Sequence, residues 1–180
     1  MNAVTLWECP EYQQWRAPHM VEEYLFRTCF IFALALHNVH RYRMEFLWDE
    51  RAPWVDGSTV RHILHAYCVR KDGSLVDARG TITREQIQAE YGRSAVLPNT
   101  VTVTKPELLE MFASGSLTAP ERAEVGAAQE FICRNRDVYK LGQRTILPVG
   151  PDEQRRLWNC IPPEVLQYQE NRLTERYGDV

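Results

Sequence analysis

Apolar residues from Met20 to His40 recur at helical spacing. Leu25, Cys29, Phe32 and Leu36 fall on one stripe, and Phe26, Phe30, Ala33 and His37 on the next. Two adjacent stripes make a broad apolar face, so the pattern predicts a helix at the centre of the core. Two readings stay open here: one continuous helix, or a fresh helix that Thr28 caps and that begins at Cys29. The stretch up to Pro18 carries Trp7, Trp15 and two prolines, and is expected to be irregular or only briefly ordered.

The period then shortens. Met44 to Trp48 reads as a strand, and Arg51 to Ser58 holds Pro53 and an Asp56-Gly57 turn signal. His62 to Arg70 and Ser74 to Ala78 flank Lys71-Asp72-Gly73, the strongest hairpin signal in the chain. Helical patterns return behind three capping boxes, Thr83 to Gln86, Thr104 to Glu107 and Thr118 to Glu121. In each the threonine accepts from an orphan backbone N–H and the Glu or Gln reaches back. A strand is expected at Thr100 to Val103, and the third helix is expected to run to Tyr139 or Leu141, before Gly142. Ile146 to Val149 reads as a last short strand, and Pro151 to Cys160 and Pro162 to Tyr177 as two more helices.

Helix, antiparallel strands and a mostly helical second half predict an α+β fold, with a central apolar helix packed on a small antiparallel sheet. Residues 1–180 are expected to form a single domain, either throughout or with 151–180 as a peripheral helical extension.

Composition narrows the function classes. Hydrophobic residues make up 44% and charged residues 25% of the chain, ordinary for a globular protein. The formal charge of −3 comes without a dense basic face, and a nucleic-acid partner is not expected. The longest apolar run, Cys29 to Leu36, is too short to cross a bilayer, so no membrane partner is expected. Met1 to Pro10 has neither a basic n-region nor an apolar h-region. The five cysteines, Cys9, Cys29, Cys68, Cys133 and Cys160, are odd in number and widely spaced, so reduced thiols in a cytoplasm are expected. No C-x-x-C or C-x-x-H pair is present, and neither a cofactor nor a structural zinc is expected.

One constellation carries chemistry. Thiol catalysis needs a thiolate, a base that makes it and a group that orients the base. A helix N-terminus favours a thiolate, which Cys29 meets if its helix starts after Thr28. If Arg70 and Ser74 close the hairpin, residue 67 faces 77 and residue 65 faces 79. His65 and Asp77 then lie diagonally on one face, whereas a slip of one residue would separate them.

The segments Thr-Cys-Phe-Ile-Phe-Ala-Leu-Ala-Leu at 28–36 and His-Ala-Tyr-Cys-Val-Arg-Lys-Asp-Gly-Ser-Leu-Val-Asp-Ala-Arg-Gly at 65–80 resemble the Cys…His…Asp order of papain-like thiol hydrolases. Transglutaminase-like and arylamine N-acetyltransferase-like domains are the nearer comparison. The resemblance implies Cys29 as nucleophile, His65 as general base and Asp77 as its orienter. It covers Thr28 to Gly80. Cys29 lacks the Gly or Trp neighbours common in those families, and only Gln13 and Gln14 stand upstream as candidate oxyanion donors.

Each residue also has a plainer role. Cys29 sits in an apolar stripe and can be a small core residue. His65 can be a hydrogen-bonded strand histidine, and Asp77 can accept from nearby backbone N–H groups. Cys68, three residues past His65, is expected to face the other way. His37 and His40, with His62, raise a metal site, but polar residues commonly finish a helix. Two functions follow. One is a hydrolase or acyltransferase acting on an amide, ester or thioester of a protein or small acyl substrate. The other is a non-catalytic module that inhibits or adapts a partner protein.

Overall fold

The computed structural model describes residues 10–26, 28–53, 59–91 and 99–148. The Asp56-Gly57 turn, Val149 and the two helices expected after Pro151 lie outside them, as do the side chains of Gln13 and Gln14. The chain divides into two units, Met1–Met20 with Leu147–Val180, and Val21–Ile146. Of the first, the described residues are 10–20, which open helix α1, and Leu147 and Pro148. The second carries the sheet.

Helix α1 runs Pro10–Phe26 and α2 runs Cys29–His40. From Pro10 to Pro18 the chain is therefore helical, not irregular. Proline's fixed φ is itself helical, and the helix continues through Pro18 although that residue brings no N–H donor and crowds the preceding turn. The apolar stretch is two helices, with the new one starting at Cys29. Thr28 does not cap it through its side chain; the hydroxyl donates to the Glu23 carbonyl at 3.3 Å.

Strands β1 (Arg43–Pro53), β2 (Thr59–Val69), β3 (Leu75–Asp77), β4 (Gly80–Ile82) and β5 (Asn99–Val103) form one sheet in the order β4-β3-β2-β1-β5. All neighbours are antiparallel. Helices α3 (Arg84–Tyr91), α4 (Lys105–Ala113), α5 (Arg122–Arg134) and α6 (Arg136–Tyr139) follow, so the architecture is α+β. No helix among the described residues is long and apolar enough to cross a membrane.

The β2–β3 turn fixes the register. Arg70 N–H donates to Ser74 O at 2.9 Å, and Gly73 takes φ +85°, a conformation glycine adopts without penalty. Asp72 Oδ1 accepts from the Ser74 amide and hydroxyl at 2.9 and 2.7 Å. Cys68 pairs with Val76 and Val69 with Leu75, which sets residue 67 opposite 77.

Several boundaries differ from the expected ones: β1 runs past Trp48 to Pro53, and β2 begins at Thr59, before His62. Strand β4 is additional, because Ala78-Arg79 closes a second hairpin in which Asp77 pairs with Gly80. Helix α5 starts one turn later, where Glu121 and Glu124 form the capping box in place of Thr118 and Glu121. It ends at Arg134, where Asn135 caps it: the Asn135 backbone N–H and side-chain amide both donate to Phe131 O, at 3.1 and 2.9 Å. Ile146 joins no strand; its N–H donates singly to Arg79 O at 2.7 Å.

Two apolar layers hold the sheet. Residues Ile31 to Leu36 of α2 are buried, and Cys68 Sγ donates to Ala33 O at 3.3 Å, which places Cys68 on the α2 side of the sheet. Phe32, Phe131 and Tyr139 pack edge-on or tilted with centroids 5.3 to 6.4 Å apart, tying α2 to α5 and α6. The other layer joins Leu47, Tyr67, Val69, Leu75 and Ile82 to Ile87 of α3.

Candidate active site

Beside His65 the β1–β2 ladder is irregular. Leu47 pairs with His65 and Trp48 with Ile63, so Leu64 is the extra residue of a bulge. Bulges re-aim side chains. Here Leu64 packs against the layer under α3, and the His65 ring stacks on Tyr91 of the same layer, centroids 4.8 Å and planes 12° apart.

The hairpin brings Asp77 to that ring. His65 Nε2 lies 3.1 Å from Asp77 Oδ2, with His65 0% and Asp77 1% exposed. An ionised carboxylate only accepts, so Nε2 carries the proton and Nδ1 faces the other way. Tyr91 Oη lies 3.3 Å from Nδ1. Cys29, the first residue of α2 and 8% exposed, lies near the ring and is one of the groups that raise its pKa. The structure thus brings Cys29, His65 and Asp77 together across three separate elements.

Electrostatics bind the group. Burial pulls the His65 pKa down, but the hydrogen bond to Asp77 and the influence of Asp77 and Cys29 prevail and hold it up at about 9. Burial pushes Asp77 up, but His65 and Arg79 outweigh it and keep the carboxyl below its usual range. Arg79 Nη2 donates to Asp77 Oδ2 at 2.7 Å, its backbone N–H donates to Asp77 Oδ1 at 2.9 Å, and Nη1 donates to Glu90. The backbone acceptor role expected for Asp77 therefore coexists with its hold on His65.

The second half of the chain supports the aspartate. Tyr139 Oη donates to Ala78 O at 2.6 Å, and Ile146 N–H holds Arg79 O. Gly80 sits at φ +110°, where a Cβ would lie 2.8 Å from Val138 Cγ1 and 3.2 Å from Arg144 O. Gly80→Ala is expected to cost about 2 kcal/mol, from backbone strain and overpacking. Urea unfolding of the variant checks this, and a midpoint equal to wild type would refute the tight packing described.

Cys29 also opens α2. Ile31 and Phe32 donate to Thr28 O at 3.0 and 3.1 Å, so the N–H groups of Cys29 and Phe30 have no acceptor within the helix. Tyr91 and Arg79 are the members sequence reasoning missed. Arg79 had a signal, two residues beyond Asp77 on a returning hairpin, whereas Tyr91 depends on how α3 packs. His37 Nδ1 is engaged with Tyr42 O at 2.8 Å, as suits a helix end.

No family model, curated protein or solved structure matches the chain.

Proposed function

We propose that this chain is a thiol hydrolase or acyltransferase in which Cys29 attacks the carbonyl of an amide, ester or thioester. The observation that carries the reading is Cys29 at the start of α2 beside His65, whose opposite ring nitrogen is held by Asp77. With His65 held as a cation, the thiol proton already rests on Nδ1, and the Cys29 sulfur adds to the carbonyl carbon as the thiolate. The free N–H groups of Cys29 and Phe30 are the oxyanion donors. Collapse of the adduct breaks the bond to the leaving group, which takes the proton from His65. Water or an amine then attacks the acyl-thioester, giving its proton to His65 and releasing the thiol. Asp77 holds the ring and stabilises its cation. The free thiols of Cys29, Cys68 and Cys133 suit a reducing, cytoplasmic setting.

Near-complete burial favours a second reading. The Asp77–His65 pair, joined through Arg79 to Glu90, also serves as an internal ionic brace in a non-catalytic module that binds a partner protein. Iodoacetamide labelling separates the two. A nucleophilic Cys29 is alkylated near neutral pH faster than Cys133, although Cys133 is exposed, and much faster than Cys68. Peptide mass spectrometry over time reads the rates. Labelling of Cys133 ahead of Cys29 would assign the cluster to the brace.

A further inference from the structure

Away from this cluster, a cleft of about 330 Å³ opens between the end of α2 and the β2–β3 turn, lined by Arg41, Tyr42, Arg43, Val69, Arg70, Lys71 and Gly73. Four of these seven residues are cations, and no carboxylate is among them. We propose that the cleft binds a tetrahedral oxyanion of the phosphate class, free or as the phosphoryl group of a small molecule, with Arg41 and Lys71 as its direct contacts.

The cleft's positive charge is fixed in place. Arg70 directs its guanidinium to neutral acceptors only: Ser74 Oγ, Thr81 Oγ1 and the carbonyls of Val138 and Tyr139, at 2.8 to 3.4 Å. Its charge also lies 5.9 Å from the centroid of the Tyr42 ring. A guanidinium so held is preorganised but not neutralised. Its N–H groups are taken by the fold, and contact with a ligand falls to its neighbours.

The nearby acids leave those neighbours free. Glu45 pairs with Arg43 at 2.7 Å, and Asp72 is turned onto Ser74. Among the described residues neither Arg41 nor Lys71 has an acidic partner, and both are exposed. Both can therefore close on a dianion without breaking an existing bond.

The backbone gives a separate indication. Arg41 caps α2 at φ 60°, the only non-glycine residue at positive φ among those described. Glycine or asparagine is the usual residue there, and arginine carries a conformational cost. A costly residue at a cap points to its side chain as the reason for its place. Next to it, His40 Nε2 is buried without a hydrogen-bond partner. Burial, and then the charges of Lys140, Arg70 and Arg136, hold His40 below its ordinary pKa, as a strongly cationic locality requires.

Thermal unfolding of the full chain tests the site. With inorganic phosphate at about 20 mM, against sodium chloride of equal ionic strength, Tm is expected to rise by about 3 °C. Arg41→Gly is expected to raise Tm without phosphate, because the strain is relieved, and to abolish the phosphate increment. Arg41→Lys is expected to retain most of it. Lys71→Gln is expected to weaken phosphate binding about fivefold by calorimetry. A larger increment with phenyl phosphate than with phosphate supports a phosphorylated small molecule, and equal increments support the free anion. Identical Tm in phosphate and chloride, or an undiminished increment in Arg41→Gly, overturns the proposal.

Discussion

Cys29→Ala is expected to reduce acyl transfer at least about a thousandfold while leaving the fold intact. The assay is the burst of p-nitrophenol from p-nitrophenyl acetate, read alongside the mass of one acetyl group on intact protein. No other described residue can replace the sulfur. Cys68 is sealed against Ala33 on the α2 side of the sheet, where burial drives its thiol pKa well up, and Cys133 lies on α5. His65→Ala should fall as far, because it removes the group that moves the proton. The alanine variant fills nearly the same buried space as cysteine, so its urea midpoint should stay close to wild type. A burst that survives in Cys29→Ala, or a bound acetyl group mapped elsewhere, would end the proposal. A large loss of stability would instead mark Cys29 as a packing residue.

The second large effect is on stability against pH. His65 titrates near 9 in the folded protein, against 6.5 for a free histidine. Folding therefore takes up a proton between those values. The stabilisation is fully present below pH 6.5 and is lost as pH rises through 9. The size is about 3 kcal/mol for a shift of this extent. Asp77 acts in the opposite direction, since its folded pKa lies below 3.8. Its contribution is present above that range and is lost as pH falls through the folded value. Urea unfolding at about pH 6 and about pH 10 should show wild type losing roughly 3 kcal/mol more than His65→Gln, which lacks the titrating ring. Parallel losses in the two proteins would mean that His65 is not held as a cation.

The convergence of His65 and Asp77 was legible because one short turn sets it. Lys71-Asp72-Gly73 admits few loop geometries, and with Arg70 and Ser74 as its closing pair the alternation of side chains decides which residues share a face. The start of α2 was legible only as one of two options. Apolar spacing runs across residues 26–29 without interruption, and what ends α1 at Phe26 is not hydrophobicity. The bulge at Leu64 left no local mark, because an extra residue in one strand is defined only against its partner. Strand β4 was hidden for a related reason. Gly80-Thr81-Ile82 is too short to show a period, and Gly80 is required there by Val138, which lies far along the chain. Tyr91 reaches His65 through tertiary packing that no local pattern encodes.

The contacts behind Asp77 set a lower bound on the working unit. All three positions of the proposed triad lie before residue 78, yet Tyr139 grips the Ala78 carbonyl and Ile146 grips that of Arg79. A fragment ending after β4 would keep every reactive group and lose the buttress that aims the carboxylate. Shortening from the far end thus cannot pass Ile146 without removing that buttress, and drift at Val138 or Tyr139 would loosen the carboxylate without touching it.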